Sequence, residues 1–302
     1  MSNVTREYKD RLFTFIFGYD ENREWTLSLY NAVNGSHYTD PSLIQFTTIR
    51  QVLYLGMHND VSFLISDEMN CYEQQSTYCP NMPLRMLQYL SDLYERYVTE
   101  NHYRKHGTSR ILLPKPKLVV FYNGTAEQPK EKTDKLSDAF IGTCSENDPD
   151  AEIRVRMINI NHGKNPDFLQ TCKPLYEYSW FVEETRKNMT VMKDIDEAVD
   201  MAIDAMPNDF QLKHFLTTHR REVGTMLLTE YNEEEELRLS RLEGERLGLE
   251  KGKREGKREN REENIVSMIN SLRCLDLDTE TIKTGIIAGF NLTKEEIAKY
   301  FP

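Results

Sequence analysis

The chain has no Cys-x-x-Cys pair, no run approaching 18 consecutive apolar residues, and no excess of positive charge. Each absence excludes a class. Its cysteines, Cys71, Cys79, Cys144, Cys172 and Cys274, are odd in number and widely spaced. That spacing fits reduced thiols better than a disulfide framework or a zinc site. Without a long apolar run, no helix is expected to span a membrane. The opening stretch, MSNVTREYKDRLF, has no apolar segment after its charges, so no signal peptide is expected and a cytoplasmic location is. A net charge of −11 argues against coating nucleic acid through bulk electrostatics, so any contact with DNA must be local. What remains is a chain of 302 residues, 39% hydrophobic, enough for one large domain or two modest ones.

The pattern of apolar residues predicts the order α–β–β–β–α–β, with a later strand added. Residues 5–34 read as helices, with Leu12, Phe13, Ile16 and Phe17 on one face, a break at Gly18 and a stop at Gly35. From Ile44 the texture is β: IQFTTIRQVLYL, then DVSFLIS, then NCYEQQST. CPNMPLRMLQYLSDLYERYV reads as a helix capped by Asn81, with Pro83 in its first turn and a stripe of Leu84, Leu87, Leu90, Leu93, Tyr94 and Tyr97. PKLVVFYNG reads as a strand covered on both faces, and AEIRVRMININ as a further strand. Only helical patterns follow from Asn165.

The segment NDVSFLISDEMNCYEQQST, residues 59–77, is unusual for a core hairpin because Asp60 opens one strand and Glu73 and Gln75 lie on the other. A two-residue turn near Asp67 and Glu68 would set Asp60 opposite Gln75, to within a residue. Glu73 and Gln75 share a face because side chains alternate along a strand. Two carboxylates and a backbone carbonyl suit a hard cation such as Mg²⁺, which retains several waters. Such an ion polarises a phosphoryl oxygen and activates a bound water. The bland alternative is an exposed strand face carrying ordinary polar residues.

This arrangement resembles the PD-(D/E)XK nuclease superfamily, and more narrowly the Rpn family of recombination-promoting nucleases, also described as transposases. DRLFTFIFG, LYNAVNG, the stretch from His58 to Leu90 and PKLVVFYNG carry the likeness, which covers roughly residues 8–190. The resemblance implies a restriction-endonuclease-like α/β core, a mixed central sheet flanked by helices, followed by an all-helical C-terminal region. It implies a Mg²⁺-dependent DNA endonuclease, with Mn²⁺ as a substitute, acting in recombination or for a mobile element. Residue by residue, it makes Asp60 and Glu73 the metal-binding acids and Gln75 the third position of E-x-K, where this branch often has glutamine. It makes Asp10 the acid of the first helix. Gln75 departs from the superfamily's lysine: an amide orients a water but brings no charge to a developing phosphorane.

DNA contact is expected in RKHGTSRILLPKPK, where Arg104, Lys105, Arg110, Lys115 and Lys117 stand without an acid. A solvated loop explains the same stretch. His102 and His106, without a third ligand, read as surface residues. In residues 243–263, fourteen of 21 residues are charged, and Gly244, Gly248, Gly252 and Gly256 recur every four. Charge at that density and the lack of an apolar seam read as a solvated helical linker; the rival is a self-association helix. The expected organisation is therefore a nuclease-like core in residues 1–165, a helical extension in 166–242, the charged tract in 243–263 and a small helical appendage in 264–302. The C-terminal region is the candidate for homo-oligomer formation. Two rivals to the enzyme stand: a catalytically degenerate fold that binds DNA or protein, and a self-assembling scaffold built on residues 243–302.

Overall fold

In a computed structural model of the protein, the structure describes residues 11–47, 60–142, 149–192, 194–275 and 277–301. The first apolar cluster forms α1 (Leu12–Phe17), which Gly18 ends, and a 3₁₀ turn over Asp20–Asn22 leads into α2 (Arg23–Asn34). Gly35 closes α2 at φ +62°, a left-handed conformation that glycine adopts without a Cβ penalty. Of the long β-textured run after Ile44, the described part is β1 (Gln45–Phe46); residues 48–59 lie outside the described residues.

β2 (Val61–Ile65) and β3 (Glu68–Gln75) form an antiparallel hairpin. Its turn is Ser66–Asp67 and not Asp67–Glu68, because Ile65 pairs with Glu68 and Ser66 takes φ +52°. The register is therefore shifted from the expected one: the ladder ends at Val61 opposite Tyr72, and Asp60 comes level with Glu73 instead of Gln75. α3 (Met82–Glu100) follows. Asn81 makes no side-chain cap bond there, and Pro83 sits in the first turn as expected. The buried row of α3 is Met82, Met86, Tyr89, Leu90 and Leu93; Leu84 and Leu87, expected inside, are exposed. Leu90 and Leu93 face inward as expected, Met82, Met86 and Tyr89 complete the row in place of Leu84 and Leu87, and this shift brings Arg85 and Tyr89 to the sheet.

β4 (Lys115–Tyr122) runs parallel to β3, β5 (Glu131–Lys135) is an antiparallel edge strand, and β6 (Arg154–Asn159) lies between β4 and β5. The six strands stand in the order β1-β2-β3-β4-β6-β5. Alternation sends Val61, Phe63, Ile65, Tyr72, Val119, Phe121 and Ile158 to one face. Met69, Cys71, Leu118, Val120, Tyr122, Val155 and Met157 face the other, against α3. β4 is thus covered on both sides, which is why its apolar run is continuous.

The helices after the sheet are α4 (Pro166–Leu169), α5 (Lys173–Val191), α6 (Ile195–Ala205), α7 (Gln211–Thr218) and the 54-residue α8 (Arg220–Arg273). Leu175, Tyr178, Phe181, Val199, Leu212, Leu216 and Val223 join the core formed by α1, α2 and one sheet face. The expected boundary at residue 165 thus falls between elements that share one core, and the first compact unit runs to residue 234. The second unit, residues 235–302, contains the rest of α8, α9 (Thr279–Phe290) and α10 (Lys294–Ala298). Ile265, Ile269, Ile282, Ile286 and Ile297 form its small core, and Thr293 and Glu296 form the capping box expected from their spacing. The charged tract 243–263 is helical and exposed throughout. Among the described residues, nothing lies within 4 Å of a Cβ placed on Gly244, Gly248, Gly252 or Gly256.

Two glycines are expected to respond oppositely to alanine. A Cβ on Gly124 would lie 1.8 Å from the Ser76 carbonyl oxygen, so Gly124→Ala should destabilise the first unit by about 1–3 kcal/mol. Gly248→Ala meets open space on a helix and should stabilise that helix by about 0.5–1 kcal/mol. Thermal melts followed by circular dichroism check both signs; a stable Gly124→Ala protein would contradict the packing at the end of β4.

Candidate active site

The hairpin delivers Asp60 and Glu73 side by side at one end of the sheet. Both are buried, at 9% and 1% exposure, and Gln75 is buried at 6%. The ladder ends beside Asp60, leaving the Gln74 amide N–H to donate to Asp60 Oδ2 at 2.6 Å. On the other side of β3, Gln74 Nε2 donates to Asn123 Oδ1 at 2.6 Å, and Asn123 Nδ2 donates to the Tyr178 hydroxyl at 3.2 Å. These bonds tie the end of β3 to the end of β4 and to α5.

Glu73 points to the α3 face with Met69 and Cys71. Arg85 Nη2 donates to its Oε1 at 2.6 Å, and Arg85 also donates to the Tyr89 hydroxyl from Nη2 at 2.7 Å and Nε at 3.3 Å. The second oxygen of Glu73, Oε2, is buried without a hydrogen-bond partner. Burial first, and the Asp60 carboxylate second, push the Glu73 carboxyl up from its ordinary 4.5 to about 8, against the pull of Arg85 and Arg11. For Arg85, burial alone would lower the pKa, but the Glu73 carboxylate beside it leaves it raised.

Five residues not expected from the sequence complete the surroundings. Arg85 and Tyr89 come from α3. Arg11, just before α1, donates to the Gln74 carbonyl at 3.2 Å, and Arg186 of α5 donates to the Asn123 carbonyl. Glu230 of α8 accepts the Leu12 amide N–H at 2.9 Å, capping α1. Burial raises Glu230 to about 7, with Asp60 adding to the rise and the Leu12 amide and Arg11 opposing it. Their common signal in the sequence is weak, since four are single charged residues on or next to ordinary helices and Tyr89 is one aromatic among several.

Asp10 lies outside the described residues. Gln75 shares the Glu73 face as expected, and its Nε2 lies 2.7 Å from Met82 Sδ, a weak acceptor. The basic stretch is elsewhere. Lys115 pairs in register with Glu68, five residues along β3 from Glu73, or about 16 Å at ~3.3 Å per residue. Lys105 is bound to Glu95 at 2.5 Å, Lys115 to Asp67 at 2.8 Å and Lys117 to Glu68 at 3.4 Å, while Arg104 and Arg110 are exposed.

Could the acids hold a divalent cation? Among the described residues, no group of three or more His, Cys, Asp and Glu side chains is arranged to hold a metal. Two acids with hard oxygens, one of them buried and unpartnered, nonetheless fit an ion such as Mg²⁺ that keeps most of its waters. No protein-family model, no curated protein and no solved structure matches the chain.

The raised Glu73 pKa predicts a pH dependence. An acid whose pKa is higher in the folded chain stabilises the fold while protonated, so its contribution is complete below about 4.5 and is lost as pH rises through about 8. Glu230 adds to the same trend up to about 7. The melting temperature of the wild type should therefore fall between pH 5 and pH 8, and Glu73→Gln should flatten that fall. Equal slopes for the two proteins would show that Glu73 ionises in the fold as it does in water.

Proposed function

We propose that this chain is a Mg²⁺-dependent DNA endonuclease of the restriction-endonuclease-like type, with Mn²⁺ as an alternative ion, acting in recombination or for a mobile element. The observation that supports the reading is the pair of buried carboxylates at the end of the β2–β3 hairpin, with one oxygen of Glu73 unpartnered. Burying two acids side by side costs several kcal/mol per charge unless a cation compensates them. Apolar residues of similar volume would fill a merely structural hairpin end at lower cost.

In this reading Asp60 and Glu73 hold the ion through their carboxylate oxygens, and the Gln74 amide fixes the orientation of Asp60. When bound, Mg²⁺ polarises a phosphoryl oxygen and lowers the pKa of a coordinated water. Gln75, whose amide lies against the Met82 sulfur, orients the attacking water. Water adds to phosphorus, the bond to the leaving oxygen breaks, and that oxygen leaves with a proton; the products are a phosphomonoester and a free hydroxyl. Arg104, Lys105, Arg110, Lys115 and Lys117 supply at most outlying phosphate contacts along a bound duplex.

The second reading, a non-catalytic member of the same fold that binds DNA or protein, draws on the uncharged Gln75 and on the Arg85 contact that engages Glu73. Plasmid cleavage separates the two. Purified wild type should convert supercoiled plasmid in Mg²⁺ and not in EDTA. Asp60→Asn should slow cleavage by a factor on the order of 10²–10³ or more, as for loss of one electrostatic stabiliser. Gln75→Lys should retain or raise the rate. Cleavage by Asp60→Asn at the wild-type rate would place any activity elsewhere, and a wild type inert in both Mg²⁺ and Mn²⁺ would favour the binding module.

A further inference from the structure

We propose that Arg85 is an exchangeable counter-ion of the site: it holds Glu73 while the carboxylates carry no divalent cation, and it passes to a phosphate of the nucleic acid when the cation takes its place. This rests on the nuclease reading above and assigns to Arg85 the positive charge that Gln75 does not bring.

Three arginines surround the carboxylates, and their bonds differ. Arg11 and Arg186 donate to main-chain carbonyls, of Gln74 and Asn123, and so brace the ends of β3 and β4. Arg85 binds an acid of the site, Glu73, through a single nitrogen and a single oxygen. That contact uses little of the guanidinium, whose five donors suit a bidentate grip on a carboxylate or a phosphate. It also leaves Glu73 half satisfied, with Oε2 buried and unpartnered. A buried carboxylate oxygen without a donor is costly, and a second ligand is the direct remedy.

The two ends of the pair differ in access. The Glu73 side chain is 2% exposed and fixed on a central strand, whereas the Arg85 side chain is 32% exposed. Arg85 can therefore move outward and Glu73 cannot. Tyr89, buried beneath, accepts from both Nε and Nη2 of Arg85, so its hydroxyl can serve as a pivot that keeps the guanidinium at the rim after the Glu73 contact breaks. A cation at Asp60 and Glu73 would displace a like charge from Oε1, and an incoming phosphate would receive it.

The test reads cation binding and DNA binding without cleavage. Mn²⁺ alone is titrated into the full chain by calorimetry, and a short duplex is titrated by fluorescence anisotropy with Ca²⁺ present. Arg85→Ala should bind Mn²⁺ about tenfold tighter, because a competing charge-assisted bond is gone. It should bind the duplex about tenfold more weakly, with the salt slope reduced by about one. Arg85→Lys keeps the charge without the fork, so its Mn²⁺ affinity should stay near wild type while its duplex affinity falls several-fold. Unchanged or weaker Mn²⁺ binding by a cooperatively melting Arg85→Ala protein would overturn the exchange, as would full duplex affinity in Arg85→Lys. A wild type that binds no Mn²⁺, with Asp60→Asn indistinguishable from it, would instead remove the nuclease reading and this inference with it.

Discussion

A carboxylate inside a protein is held against the loss of its hydration, and a second carboxylate beside it makes the cost larger. Glu73 meets both conditions, and much of the first unit is arranged around that fact. The hairpin register sets Asp60 level with it, the rotation of α3 brings Arg85 and Tyr89 against it, and a chain of amides from Gln74 through Asn123 to Tyr178 anchors the strand that carries it. Repulsion between the acids and attraction to Arg85 act on the same side chain. The outcome is a carboxylate held on one oxygen by Arg85 and left without a partner on the other.

Legibility in the sequence followed the strength of local signals. Helices ended by Gly18 and Gly35, the buried run of β4 and the Thr293 capping box were readable because period and capping chemistry agree with the fold. β5 was missed because Glu131, Lys132, Thr133, Asp134 and Lys135 resemble a loop; charge on an edge strand protects it from pairing with another chain, at the expense of its signature. The hairpin register was misplaced because Ser66 takes a positive φ that serine seldom adopts, in a turn with no Asn-Gly or Asp-Gly to mark it. The stripe of α3 was misplaced in part because Met82, Met86 and Tyr89 join Leu93 against the sheet where Leu84 and Leu87 were expected.

Of the site, the two acids and the amide came from one short stretch, and strand alternation alone puts Glu73 and Gln75 on one face. Arg11, Arg85, Arg186 and Glu230 were not legible, since nothing in the spacing of single charges on separate helices says that they converge. The helices after the sheet carried a related surprise: Tyr178, Leu212 and Val223 read as an extension and instead complete the core under α1 and α2. Apolar periodicity shows that a helix has a buried face and is silent about what covers it.

The bond from Leu12 to Glu230 joins residues 218 apart in the chain. During synthesis, the first turn of α1 therefore waits for its acceptor until residue 230 has left the ribosome. At about 5–20 residues per second, that interval is roughly 10–40 s. Until then Arg11 and the Asp60 end of the hairpin lack one wall, so a nascent chain carries the two acids well before it carries the finished site. The surroundings of the two acids are thus completed late, by a delay that belongs to the topology of the chain.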